Sequence, residues 1–311
     1  MSEHILNLLP LKEGEREEFE ALAPDAVHTY ARRSTVTPEQ LAAATVIFGW
    51  PRAEMMHHAV NLKWFQTMWV GTDEYEQPGM LKEEALFTSS AGFNARSVAE
   101  HMLAMVMSLC RGLPAYQDNQ RAHVWGDEGK MKSLMGSTVL VAGTGNIGAT
   151  FAKMCRDLGA HTVGLNRSGR SVEHFDETHP LDDIDRQLPR ADFVALVMPH
   201  APGTVGLMSR ERIALLKDDA VLISCGRGSV LDQDALVEAM QAGKLWGAGM
   251  DVTEPEPLPA DHPLWSIPNL ILTPHVAGGI RLELTRRTNI ELALDNLRRY
   301  LAGEELKNRV W

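Results

Sequence analysis

Ser137-Thr-Val-Leu-Val-Ala-Gly-Thr-Gly-Asn-Ile-Gly148, continuing as Ala149-Thr-Phe-Ala-Lys-Met-Cys-Arg-Asp-Leu-Gly159, is the stretch around which the chain is arranged. Thr138–Ala142 is a short apolar run with β-branched residues and reads as a buried strand. It runs straight into Gly143-x-Gly145-x-x-Gly148, after which Ile147, Phe151, Met154, Cys155 and Leu158 recur at helical spacing. A strand, a glycine turn and a helix together form the context of a dinucleotide site; the glycines alone would not. Gly143 permits the tight turn, Gly145 lets the backbone approach a pyrophosphate, and Gly148 lets helix and strand pack closely. The helix N-terminus turns its N–H groups toward the anion.

The same alternation extends in both directions. Toward the C-terminus, strands are expected at Thr162–Leu165, Phe193–Met198, Val221–Ser224, Ala248–Val252 and Leu270–Thr273. With the opening strand these make six, separated by helices such as 209–216, with Ser209 as N-cap, and 232–242. Toward the N-terminus, Ile5–Leu9, Val27–Ala31, Thr45–Phe48 and Trp64–Val70 alternate with shorter helical pieces. Both halves therefore read as α/β with parallel sheets. Ala95–Arg111 reads as one long apolar helix near a domain crossing, 112–132 as an irregular polar excursion, and Arg281–Leu301 as a final helix leading back to the N-terminal part.

Composition narrows the class. A net charge of −11 argues against nucleic acid as the main partner, because phosphate binding needs a basic face. No apolar run reaches membrane-spanning length, and the first residues lack the pattern of a secretory signal. Cys110, Cys155 and Cys225 have no metal-ligand spacing and read as reduced structural thiols, so a cytoplasmic protein without a metal site is expected.

Ligands of open α/β sheets lie beyond the carboxyl ends of the strands. There the sequence has Cys225-Gly226-Arg227-Gly228-Ser229, then Asp251 with Glu256 on a proline-braced loop, then Thr273-Pro274-His275. An Arg between glycines can hold a carboxylate through two bonds, although it reads equally as a solvated loop residue. An Arg, an acid and a His meeting at one sheet edge point toward a catalytic site.

At these residues the chain resembles the D-isomer-specific 2-hydroxyacid dehydrogenases, the family of glyoxylate/hydroxypyruvate reductases and phosphoglycerate dehydrogenases. The likeness runs through the glycine turn, Met198-Pro-His-Ala-Pro-Gly-Thr, the block 215–232, Asp251-Val-Thr-Glu-Pro-Glu-Pro-Leu-Pro and Asp261–Gly278. It implies a doubly wound Rossmann cofactor domain (106–281) inserted into a flavodoxin-like substrate domain (1–105 and 282–311), with the active site in the cleft between them. It implies that Arg227 grips the substrate carboxylate and carbonyl, that His275 is the acid/base and that Glu256 pairs with His275. Asp251 would contact the nicotinamide carboxamide. Gly143, Thr144, Gly145, Asn146, Ile147, Gly148, Met198, Pro199, Cys225, Gly226 and Gly278 would line the cofactor. Val70 and Gly71 would bind the carboxylate from the other domain, with Trp50 and Trp69 beside them as substrate or core residues. A homodimer is the family's usual assembly.

The chemistry suits these residue types. Reducing a 2-oxo acid to a D-2-hydroxy acid takes a hydride at carbon and a proton at oxygen. An imidazole can give that proton near neutrality, and a carboxylate beside it favours the charged ring. The end of the second cofactor-domain strand decides which nicotinamide is bound. Where an NAD site has an acid, this chain has Asn166-Arg167-Ser168-Gly169-Arg170. NADPH is therefore expected to be preferred, with NADH possible if the turn merely tolerates both. Two alternatives remain from the sequence: an NAD(P)H-sensing binding protein of the corepressor type, and a formate- or phosphite-type dehydrogenase. Glu256, where a glutamine would suit formate oxidation, argues against formate.

Overall fold

The computed structural model describes residues 2–311, and the chain divides into two compact units. The first runs to Asn94 and resumes over Ile280–Trp311. Its elements are β1 (His4–Asn7), α1 (Glu15–Leu22), β2 (Val27–Tyr30), α2 (Pro38–Ala43), β3 (Val46–Gly49), β4 (Trp64–Thr67), β5 (Leu86–Thr88) and the C-terminal helix Glu283–Ala302. All strand pairs of this sheet are parallel, in the order β2-β1-β3-β4-β5, the flavodoxin-like arrangement. β3 and β4 are buried along their whole length, as strands covered on both faces must be. One face carries Leu6, Leu41, Ile47 and Phe65. The other packs Ile5, Phe19, Phe48 and Trp64 against Ile290, Ala293 and Leu297 of the C-terminal helix. Thr37 and Gln40 close a capping box on α2, whose first residue is Pro38.

The second unit, Ala95–Gly279, opens with α3 (Ala95–Cys110) and α4 (Leu113–Arg121). It continues through β6 (Thr138–Ala142), α5 (Asn146–Asp157), β7 (His161–Asn166), β8 (Glu177–Pro180) and α6 (Ile184–Gln187). Then come β9 (Phe193–Leu196), α7 (Arg210–Leu215), β10 (Val221–Ser224), α8 (Gln233–Gln241), β11 (Gly247–Met250) and β12 (Leu270–Leu272). The 7-stranded parallel sheet runs β12-β11-β10-β9-β6-β7-β8, which is the doubly wound order extended by one strand. The order reverses between β6 and β9, so the crevice for a dinucleotide opens where β6 ends, at Gly143.

Several sequence expectations shift. The chain divides after Asn94 and Gly279 rather than near 105 and 281. Packing explains the first difference: α3 lies so close on β11 that a Cβ at Gly249 would stand 2.9 Å from Met105 Sδ, and one at Gly247 2.9 Å from Leu109. The whole helix therefore belongs to the second unit. It is also one-sided rather than apolar around most of its girth, with Arg96, Glu100, Ala104 and Met107 exposed. The excursion after it is partly helical, as α4. Ser209 stands at the N-cap of α7, but its hydroxyl donates to Glu211 at 2.7 Å instead of capping the helix backbone. Asp232 does cap α8, accepting from the Ala235 N–H at 2.9 Å.

Candidate active site

The glycine turn has the geometry its sequence requires. Gly143 has φ 107°, and a Cβ there would stand 2.9 Å from the Val197 carbonyl; at Gly148 it would stand 1.9 Å from the Gly143 carbonyl. Neither place admits a side chain. Gly145, by contrast, faces open space, and no side chain caps the α5 N-terminus. Thr144 is buried beside it, with Asn146 and Ile147 in the first turn of α5. A turn with two obligate glycines, one open glycine and uncapped N–H groups fits a pyrophosphate.

At the end of β7 the Asn166 side chain organises the turn, its Oδ1 accepting the Ser168 N–H at 3.2 Å and its Nδ2 donating to the Arg170 carbonyl at 2.9 Å. Arg167, Ser168 and Arg170 are exposed, and no acidic residue lies within the turn. At the ends of β9 and β10, a Cβ on Gly226 would stand 2.5 Å from the Met198 carbonyl, so Met198-Pro199 and Cys225-Gly226 meet there. Burial above all, and then the Asp251 carboxylate, pushes the Cys225 thiol above its ordinary value of 9.0. Cys225 is a packing residue and not a nucleophile.

Arg227 sits on extended backbone after β10, half-buried, and donates to the Gly226 carbonyl at 3.1 Å. The next residue, Gly228, approaches the following loop so closely that a Cβ would stand 2.1 Å from the Thr253 carbonyl. That loop carries Glu256. One carboxylate oxygen accepts the Thr253 N–H at 3.1 Å, and the other lies 2.8 Å from His275 Nδ1. The pair is about half exposed, with side-chain exposures of 47% for His275 and 39% for Glu256, so solvent can reach it. With Nδ1 turned to Glu256, Nε2 is the ring atom left for a reacting group. An open cavity of about 510 Å³ runs past this pair, lined by Thr253, Glu256, Leu258, Trp265, Leu272 and His275.

Asp251 does something the sequence reading missed. It is 2% exposed, and its carboxylate accepts from Thr273 Oγ1 (2.6 Å), the Val276 N–H (2.9 Å) and the Ala277 N–H (2.9 Å). Its carbonyl accepts the His275 N–H at 2.8 Å. It therefore ties down the segment that carries His275 and leads to Gly278. Thr273, Ser97 and His101 also belong to this network and were not singled out from the sequence; their signal was the i, i+4 spacing of Ser97 and His101 on one helix face.

In the first unit, Trp50 and Trp69 pack edge to face at 5.5 Å, and the Arg33 guanidinium lies 3.5 Å over the Trp50 ring. Both indoles join the core clusters, and Trp50 Nε1 donates to Glu74. The following loop is fixed by its backbone: the Met68 carbonyl accepts from Asn289 at 2.9 Å and the Trp69 carbonyl from the Ser90 N–H at 3.0 Å. Neither the Val70 nor the Gly71 N–H is engaged by another described residue. Among the described residues no cluster of His, Cys, Asp or Glu could hold a metal ion, and no helix is long and apolar enough to cross a membrane.

Comparison with known proteins agrees with this geometry. Residues 103–277 match the profile described as "D-isomer specific 2-hydroxyacid dehydrogenase, NAD binding domain". The chain is 30% identical to glyoxylate/hydroxypyruvate reductase B of Pectobacterium carotovorum subsp. carotovorum over 83% of its own length and 81% of that protein's. It spans about half the length of the D-3-phosphoglycerate dehydrogenases it also matches. A D-isomer specific 2-hydroxyacid dehydrogenase family protein from Aeromonas salmonicida superposes with a TM-score of 0.89 at 27% identity, covering 100% of this chain and 99% of that one. A D-isomer specific 2-hydroxyacid dehydrogenase from Xanthobacter autotrophicus, solved with NADPH and MES, gives 0.83 at 27% identity over 100% and 98% of the two chains. With its doubly wound sheet, glycine turn and His275–Glu256 pair, the chain belongs to the D-isomer specific 2-hydroxyacid dehydrogenase family of NAD(P)-binding oxidoreductases.

Proposed function

We propose that this protein reduces a small 2-oxo acid to the D-2-hydroxy acid with NADPH. The observation that carries the reading is the 2.8 Å pairing of His275 Nδ1 with Glu256 at the carboxyl edge of the sheet, one loop from Arg227. Glu256 fixes the ring so that Nε2 faces the substrate and gives its proton to the carbonyl oxygen. The Arg227 guanidinium grips the substrate carboxylate through two parallel bonds and orients its carbonyl. Val70 and Gly71 offer N–H groups to the same carboxylate, and Trp50 and Trp69 border the side-chain pocket. The nicotinamide, when bound, supplies the hydride.

Gly143, Gly145 and Gly148 with the α5 N-terminus would hold the pyrophosphate, flanked by Thr144, Asn146 and Ile147. Met198, Pro199, Cys225, Gly226, Asp251 and Gly278 would border the rest. Arg167 and Ser168, with Asn166 between them and the strand, would take the 2′-phosphate. The absence of an acid in that turn supports NADPH over NADH, and the relative from Xanthobacter autotrophicus was solved with NADPH. The second unit is accordingly the cofactor domain and the first the substrate domain. A cytoplasmic homodimer is part of the same proposal.

Steady-state kinetics with glyoxylate, hydroxypyruvate and phenylpyruvate, each with NADPH and NADH, tests this. Turnover with a higher kcat/KM for NADPH is expected, and no turnover of any 2-oxo acid would refute it. Arg227→Ala or His275→Ala should abolish reduction while NADPH still binds; retained turnover in either would remove that residue from its role.

A further inference from the structure

We infer that Ser97 and His101 of α3 are positioning residues for the acid/base, pinning both ends of the segment Thr273–Ala277 on which His275 stands. This rests on the reading of His275 given above. Four residues apart, the two side chains lie on one face of the helix. Ser97 Oγ donates to the Ala277 carbonyl at 2.7 Å, and His101 Nε2 lies 3.0 Å from Thr273 Oγ1.

The direction of the second bond follows from its neighbour. Thr273 Oγ1 is 2.6 Å from the Asp251 carboxylate, and an ionised carboxylate can only accept. The threonine proton therefore points to Asp251, and the hydroxyl oxygen must accept from His101, whose Nε2 carries the hydrogen. The relay His101→Thr273→Asp251 thus has a single polarity, and Asp251 passes the restraint on through the Val276 and Ala277 N–H groups.

Such restraint has a reason. His275 has φ 51°, a backbone region that a residue with a Cβ keeps only where its surroundings over-determine it. Pro274 and His275 are exposed, so packing alone does not hold them. α3 offers a rigid platform, because Val98, Ala99 and Met102, next to these two residues on the helix, are buried in the core at 4%, 0% and 0% exposure. Without the two pins the segment can relax, and a displacement of about 1 Å at a reacting group costs on the order of 100-fold in rate.

The test compares Ser97→Ala, Thr273→Val, Thr273→Ser, His101→Ala, His101→Gln and His275→Asn, with NADPH and the 2-oxo acid turned over fastest. Thr273→Val and Ser97→Ala should lower kcat roughly 10- to 100-fold, while KM and the fluorescence-measured Kd for NADPH stay within about threefold. Thr273→Ser, which keeps the hydroxyl, and His101→Gln, which keeps a donor, should recover most of the rate lost in Thr273→Val and His101→Ala. Unchanged kcat in Thr273→Val and Ser97→Ala, or equal loss in Thr273→Ser and Thr273→Val, would overturn the inference. Should Thr273→Val fail to fold, the His101 pair decides by the same comparison. His275→Asn separates the two levels. An active variant refutes the acid/base reading itself, whereas an inactive one beside unaffected pins refutes only the positioning.

Discussion

Asp251→Asn is the most informative single substitution in the second unit, because it preserves shape and removes only charge and one acceptor. In the native site, one carboxylate oxygen takes the Thr273 hydroxyl and the Val276 N–H, and the other takes the Ala277 N–H. The best asparagine rotamer leaves its oxygen facing the first two donors. Its NH₂ then points at the Ala277 N–H, donor against donor, in a place where Asp251 is 2% and Ala277 4% exposed. A hydrogen bond to a charged group, about 1.5–3 kcal/mol, is lost, and a buried donor is left unpaired at about 1–3 kcal/mol. The expected cost is about 3–5 kcal/mol. For a unit the size of Ala95–Gly279, at about 2–4 °C per kcal/mol, that lowers its transition by about 10 °C. Scanning calorimetry reads this directly. NADPH should raise the transition of the second unit, which tells the two units apart. A shift of under about 2 °C would refute the account of Asp251 as the anchor of the His275 segment.

Three other expectations concern the cofactor turn and the acid limb. Gly148→Ala forces a Cβ to 1.9 Å from the Gly143 carbonyl; overpacking of about 1–3 kcal/mol should weaken NADPH binding roughly 10- to 100-fold by fluorescence titration. Arg167→Ala should raise the KM for NADPH by at least about tenfold and leave that for NADH nearly unchanged, the loss of one charge-assisted bond. Equal effects on both cofactors would contradict the 2′-phosphate assignment. In the first unit the Arg286 guanidinium holds the Glu15 carboxyl below its ordinary 4.5, and Arg286 with Lys12 holds Glu283 down at about 2. Carboxyls depressed by folding contribute stability above 4.5 that is lost as pH falls through their folded values. Urea unfolding between pH 7 and pH 2 should therefore show stability falling from about pH 4.5 downward, and Glu15→Gln should flatten that limb.

How far the sequence could be read depended on whether an element announces itself locally. Thr138–Ala142 and Val221–Ser224 are buried runs bounded by turns, and both strands begin and end where their residues indicate. β8 escaped notice because Glu177-Thr-His-Pro is polar, and no residue of that edge strand is buried. It is held by side chains instead, with Arg190, His179 and His161 all on Glu177. β5 is three residues long and owes its existence to partners far away, β4 on one side and the Val310 N–H, which donates to the Phe87 carbonyl at 2.8 Å. α4 buries no residue, so it has no apolar period to detect. At the site, residue types at strand ends identified Arg227, Glu256 and His275. The second role of Asp251 depends on β11 lying beside β12, and the reach of Ser97 and His101 on α3 lying on β11; a linear pattern contains neither contact.

The nesting of one unit inside the other also bears on how the protein is made. Ile5, Phe48 and Trp64 precede all of Ala95–Gly279 in the chain, yet their covering helix, with Ile290 and Leu297, follows it. During synthesis the N-terminal sheet must wait with one face bare while all of Ala95–Gly279 is translated and is free to fold. That waiting face is where a nascent chain of this kind is most exposed to aggregation. A translation pause before codon 280 would prolong the risk, and holdase chaperones would be expected to engage the chain at this stage.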